Sequence, residues 1–307
     1  MNQNIFVKPL IAGLISFSLL SVTNPIYAGD KTMSEPSNKP NVTESAQSHV
    51  KSVTEAKTSE NRQKIVEEAV AALNETKNAL AALDANKKAE AIAALGKVVG
   101  QLEIIIAREP ELAFAPIDVR VTTHDLYASL KTIELAKKEA EDLLEDGEVQ
   151  KARILLKDLA SEIVISVVNL PLATYPDAIK AVIPLIDKDK FDEAKAALQA
   201  ALNTLVVTTH VIALPVIRAE QMLIEAEKLA ETEKRSDKDN KVLSDLLQNA
   251  RFQLEMAAAL GYGDKKEYKD FYKQIEEIEK KTDDGKSGKG FFDKVKHSLS
   301  NFIHNHF

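Results

Sequence analysis

Counting from Ala91, apolar residues fall at +4, +7 and +11, at Leu95, Val98 and Leu102. The same offsets recur from Ala152 (Leu156, Leu159, Ile163) and from Ala194 (Leu198, Ala201, Leu205). A weaker copy starts at Ala250 (Leu254, Ala257) and stops at Gly261. Such spacing places one stripe on one face of an α-helix and is incompatible with a two-residue strand period. Each of the first three copies follows a short acidic turn: Asp84-Ala85-Asn86, Glu145-Asp146-Gly147 and Asp187-Lys188-Asp189. Arg235-Ser236-Asp237 precedes the fourth. A stripe at Ile65, Ala69, Ala72, Leu73, Thr76, Leu80 and Leu83 supplies the helix ahead of the first turn. The unit is a helix–turn–helix used about four times, each Ala marking where the second helix approaches the first closely.

Composition agrees. The 307 residues are 28% charged and 45% hydrophobic, with 5% aromatics, no Trp and ten Gly, which suits helices and disfavours an all-β sandwich. The absence of Cys excludes disulfides, thiolate metal sites and a cysteine nucleophile. A formal net charge of −7 disfavours non-specific nucleic-acid binding. Residues 1–28 read as a secretory signal peptide: Lys8, an apolar run from Leu10 to Val22, and a small residue at Ala28, the expected cleavage position. That run is shorter than the ~20 residues a spanning helix needs, so a retained anchor is the lesser alternative. The mature protein is expected in the periplasm or secreted. Residues 29–59, rich in Ser, Thr, Pro and Asn, read as a flexible leader with nascent helix at its end. Residues 60–280 form the helical domain and 281–290 a Gly-rich linker.

Prolines mark the joints: Pro110 and Pro116, Pro171 and Pro176, and Pro215. The connectors 114–121 and 169–172 are too apolar for free loops, so they must pack across helix ends or pair as short strands. Val121-Thr122-Thr123-His124 and Val207-Thr208-Thr209-His210 repeat one tetrapeptide, each expected just before a long helix, and favour internal duplication. The expected fold is all-α, a bundle of about eight helices in four hairpins with short apolar Pro-containing extended connectors.

Four segments together resemble the YfdX family: KEAEDLLEDGEVQKARILLKDLASEI (138–163), NLPLATYPDAI (169–179), DEAKAALQAALNTLVV (192–207) and LPVIRAEQMLIEAEKL (214–229). The likeness covers roughly residues 60–262. It implies a mainly helical exported bacterial protein of unassigned biochemical activity, linked to acid or envelope stress and discussed as chaperone-like. It implies no catalytic residues.

The residues themselves offer little chemistry. Asp187 to Asp192 opens like a calcium loop, but the sixth position is Asp192 rather than Gly and the twelfth is Leu198 rather than Glu. The Gly-Lys-Ser at 285–287 lacks the Gly that a phosphate-binding loop requires, since that position holds Lys280. No HExxH or Gly-x-Ser-x-Gly occurs. His124 and His210 are either a paired pH sensor or ordinary first-turn histidines, with Thr123 capping and Asp125 complementing the helix dipole. Arg153 and Arg218 are either internal ion-pair partners or anchors of an anion-binding cleft. No cofactor or metal is expected.

Residues 291–307 read as a short amphipathic helix, with Phe291, Phe292, Val295, Leu299, Phe302 and Ile303 on or near its apolar side. It either docks on a partner groove or, weakly, on a membrane surface, or folds back over the bundle. His297, His304 and His306 would add charge to it in acid. The expected function is non-enzymatic: an exported stress-related protein that binds other proteins and self-associates. The alternative is a small-anion binding module with an interhelical pocket.

Overall fold

In the computed structural model, residues 43–306 are described, and all lie in one compact unit of the chain. The expected signal peptide and the first part of the leader, residues 29–42, lie outside them. Three chain reversals repeat one geometry. Asn86, Gly147 and Asp189 have φ of 56°, 76° and 59°. In each, the next N–H reaches a carbonyl five residues back: Lys87 to Ala82 at 2.8 Å, Glu148 to Leu143 at 2.8 Å, Lys190 to Leu185 at 2.9 Å. This left-handed cap ends α2 (Glu67–Asp84), α4 (Leu130–Glu145) and α6 (Tyr175–Asp187), and turns the chain into α3 (Lys88–Arg108), α5 (Val149–Leu156) and α7 (Phe191–Leu202). Ala91, Ala152 and Ala194 follow their left-handed residues at the same interval, and each is fully buried where the two helices meet. The acidic turns are thus helix caps.

The chain is not all-α. Each of these hairpins feeds a strand: β1 (Phe114–His124), β2 (Glu162–Pro171) and β3 (Val206–Ala213) form an antiparallel sheet in the order β1-β2-β3. The apolar connectors are therefore strands. Ile163, expected on the second helix of its hairpin, lies instead on β2, and α5 ends at Leu156. The run Ile163-Val164-Ile165-Ser166-Val167-Val168 is almost wholly β-branched, which favours a strand once a sheet is available. Both Val-Thr-Thr-His copies lie in strands rather than before helices, and Thr123 caps nothing. They are also not equivalent. Val121 and His210 both face Ile165, so the two tetrapeptides present opposite faces.

Beyond the sheet, α8 (Leu214–Ala230) and α9 (Asp237–Leu260) form a long pair. Ser236 caps α9 in a capping box with Asp239. A left-handed Gly261 turns the chain into α10 (Lys265–Thr282), and α11 (Asp293–His306) follows. The leader's expected coil is helical from its first described residues onward: α1 (Glu44–Gln63) is capped by Thr43 and buries Ala46 and Val50. Eleven α-helices occur among the described residues, in place of the eight expected.

Three apolar clusters hold these elements. Hairpins α2–α3 and α6–α7 pack on each other around Leu95, Leu102, Tyr175, Ile179 and Leu198. One sheet face, with Val119, Ile163, Ile165 and Val167, lies under Val50 of α1 and Ile217 of α8. Helices α8 to α11 share the third, through Met222, Leu254, Phe271, Phe292 and Phe302. The expected free linker is tied down. Arg235 donates to the carbonyls of Ala230, Thr282 and Lys286 at 2.6, 3.1 and 2.6 Å, and the Gly288 N–H reaches Ala230. A Cβ on Gly288 would collide with Thr282 Cγ2, so the segment packs where only glycine fits.

Candidate functional site: an exposed hairpin on a buried ionic base

Hairpins α2–α3 and α6–α7 bury their apolar stripes against each other, whereas among the described residues α4–α5, of the same construction, faces no second hairpin of this kind and meets α9 through α4. Ile133 and Ala140 are the buried residues of α4, and Ala152 that of α5. Eleven large apolar side chains are exposed among the described residues, and six lie between Tyr127 and Leu156. They are Tyr127 (66% exposed), Leu135 (60%), Leu144, Val149, Ile154 (56%) and Leu156. They are spread round the hairpin, Leu135 and Leu144 standing on opposite sides of α4. Around the hairpin tip, Glu139, Glu141, Asp142, Glu145, Asp146 and Glu148 make the rim acidic.

The base of this hairpin is rigid. Asp125 precedes α4 and meets Arg218 of α8, a side chain 1% exposed, while Ser161 follows α5 and reaches Asp125. Arg218 donates Nη1 to Asp125 Oδ1 at 2.9 Å, and Nη2 to Asp125 Oδ2 at 2.6 Å and to Gln47 Oε1 at 3.0 Å. This two-pronged geometry suits a guanidinium. Removing Asp125 would strand the buried Arg218 charge, at a cost of about 3 kcal/mol. The Ser161 hydroxyl lies 3.4 Å from Asp125 Oδ1, and its N–H donates to the Tyr262 hydroxyl at 2.9 Å. Tyr262 in turn donates to Glu162 at 2.7 Å. Burial, reinforced by the Glu162 carboxylate, holds the Tyr262 phenol well above the ordinary tyrosine range. The network joins α1, both ends of the hairpin insertion, α8 and the α9–α10 turn.

Of the two readings of Arg218, the structure displays the ion pair: Asp125 and Gln47 occupy two of its nitrogens, and its Nε has no partner among the described residues. Asp125 is that partner rather than a helix-dipole residue. Arg153 is exposed on α5 and donates to Gln150 at 3.2 Å. His124 and His210 stand on the two outer strands with β2 between them, so they form no pair. His297 approaches Asn301 at 3.2 Å, His304 is exposed, and His306 stacks on Phe302 with Nε2 3.4 Å from Glu267. Phe292, Val295, Leu299 and Phe302 are buried in the core, leaving Phe291 exposed and Ile303 half-buried. The apolar side that docking needs is occupied by the chain's own helices. Among the described residues, no cluster of His, Asp and Glu is placed to hold a metal, and no helix is long and apolar enough to cross a membrane. Gln47, Ser161, Glu162 and Tyr262 carry no linear signal, since each matters only through a partner distant in sequence.

Residues 72–211, from within α2 to within β3, match the family model described as YfdX protein. Over that segment the chain is similar to the YfdX family. The YfdX segment therefore coincides with the three hairpin–strand units, while α1 and most of α8 to α11 flank it. Among solved structures, Salmonella Typhi YfdX is similar at 16% identity and a TM-score of 0.35, over 50% of this chain and 95% of that one. A likeness of that size carries no argument. No curated protein matches the chain.

Proposed function

We propose that this YfdX-like chain is an exported, non-enzymatic envelope protein that binds other proteins, in the manner of a holdase, through α4–α5. The observation that carries this reading is the exposure of Tyr127, just ahead of α4, and of Leu135, Leu144, Val149, Ile154 and Leu156 on the hairpin itself. Unfolded chains expose apolar side chains of the kind this surface would take from water, at about 25 cal/mol per Å² buried. The acidic rim adds selectivity for basic segments and keeps the free surface soluble. Supporting it further are the stress association implied by the family and the secretory signal read at residues 1–28.

The test is suppression of light scattering from reduced α-lactalbumin, at neutral and mildly acidic pH. The wild-type chain should hold the client in solution. The triple variant Leu135→Ser, Val149→Ser, Ile154→Ser, which alters only exposed side chains, should lose most of that effect while melting as the wild type does. Equal suppression by the variant would remove the hairpin from the mechanism. A thermal-shift series with phosphate, sulfate and carboxylates runs beside it. Stabilisation by an anion that Arg153→Ala abolishes would favour the small-anion reading instead.

A further inference from the structure

The sheet has two outer edges, and they are built differently. Along β1, Pro116 lacks an N–H, the register shifts between Pro116 and Asp118, and Arg120 donates to Asp118 at 3.0 Å. Proline, an irregularity and charged side chains are the devices that stop a strand edge from pairing with another chain. On β3 none of them is present: Val206-Val207-Thr208-Thr209-His210-Val211-Ile212-Ala213 contains no Pro, Gly, Asp, Glu, Lys or Arg. Four consecutive residues, Val207 to His210, are exposed, so both faces of the strand are open there and the helices over one face stop short of this edge. Val207 is 58% exposed. Among the described residues, β2 is the one strand paired with β3, so alternate N–H and C=O groups of Val207–Val211 point outward without a strand to meet them.

We propose that two copies of this chain pair antiparallel along β3, related by a two-fold axis, joining their sheets into one of six strands. Antiparallel pairing aligns residues of like parity, and a register centred on Thr209 sets Val207 opposite Val211 and Thr208 opposite His210. Val207 opposite Val211 is a β-branched pair of the kind that stabilises cross-strand contacts, and the strand itself brings no formal charge to the seam of a chain carrying −7 overall. On the face not covered by α1 and α8, Val164 and Val168 of β2 lie beside Val211 and Val207 of β3. A second copy continues that valine patch across the axis and covers Val207. The same edge chemistry suits an extended peptide from another protein less well, because the self-pairing register satisfies both copies identically. This gives the expected self-association a surface distinct from the client-binding hairpin.

The absence of Cys allows a direct test in the full chain. Two Thr209→Cys residues facing each other on the axis would lie within the ~4.4–6.8 Å Cα separation a disulfide accepts. Mild oxidation should therefore convert Thr209→Cys to a covalent dimer, while Thr122→Cys, exposed on β1, stays monomeric. In sedimentation equilibrium the wild-type chain should dimerise, and Thr209→Lys, which sets like charges opposite each other, should weaken the dimer roughly tenfold or more with its melting temperature unchanged. The triple hairpin variant should dimerise as the wild type does, which separates this inference from the client-binding reading. A wild-type chain that sediments as a monomer, a dimer indifferent to Thr209→Lys, or equal crosslinking through Thr122→Cys would each overturn the proposal.

Discussion

Tyr262 shows how much one side chain can couple. Its hydroxyl accepts from Ser161 and donates to Glu162, so the α9–α10 turn is fastened to the start of β2. Burial keeps this phenol protonated in the folded chain, and burial likewise pushes Tyr272 up to about 12. In the unfolded chain both ionise near pH 10. Folding therefore favours the protonated form: stability is full below about pH 10 and falls as the pH rises toward the folded values. Urea midpoints measured at pH 8 and pH 11 should show this loss. Tyr262→Phe should be weaker by about 1 kcal/mol at pH 8, because Ser161 and Glu162 lose a partner. It should also decline less between the two pH values; parallel declines would mean that Tyr262 does not carry the effect. At this scale the sequence was partly legible. Arg218 stands out as an arginine among apolar neighbours, but its partner Asp125 lies 93 positions away, and nothing local distinguishes Asp125 from a solvated carboxylate.

The hairpins depend on a single backbone conformation repeated three times, and Gly147 isolates its energetics. A Cβ there would touch nothing within 4 Å, so Gly147→Ala is opposed only by φ of 76° and should destabilise the chain by about 1 kcal/mol. Gly96, inside α3 with space just as open and no positive φ, provides the opposite sign. Gly96→Ala should stabilise by about 0.5–1 kcal/mol, since alanine restricts the unfolded chain and is the better helix former. Chemical denaturation of the two variants checks both, and equal signs would refute the backbone explanation. The turns and paired helices were readable because capping and a 3.6-residue period are local. The strands were harder: Ile163 falls eleven residues after Ala152, a helical offset, while its β-branched neighbours suit a strand equally well. Only pairing with β1 and β3 separates those choices.

For the molecule as a whole, α11 is the sharpest case. Phe292, Val295, Leu299 and Phe302 are buried against α8 and α10, and the Phe302 ring lies where a Cβ on Gly263 would be. At about 1.5–3 kcal/mol for each buried side chain, their summed contribution is comparable to the whole stability of an ordinary domain. Deleting residues 286–307 should lower the melting temperature sharply and broaden the transition, read by circular dichroism at 222 nm. A truncated chain melting within about 2 °C of full length would show instead that the helix is dispensable, as a detachable docking segment would be.

Amphipathic spacing, left-handed caps and the buried Ala at each turn follow from residues within a few positions of one another, so the helical hairpins and their closest contacts are local properties of the chain. The sequence also marked residues 291–307 as an amphipathic helix in need of an apolar surface. Which surface that would be, which hairpin would be left without a counterpart, and which charges would meet were decided only in the tertiary structure. The reason is physical: an apolar stripe specifies that it must be buried but not by what, and a strand pairs with whatever edge the fold brings beside it.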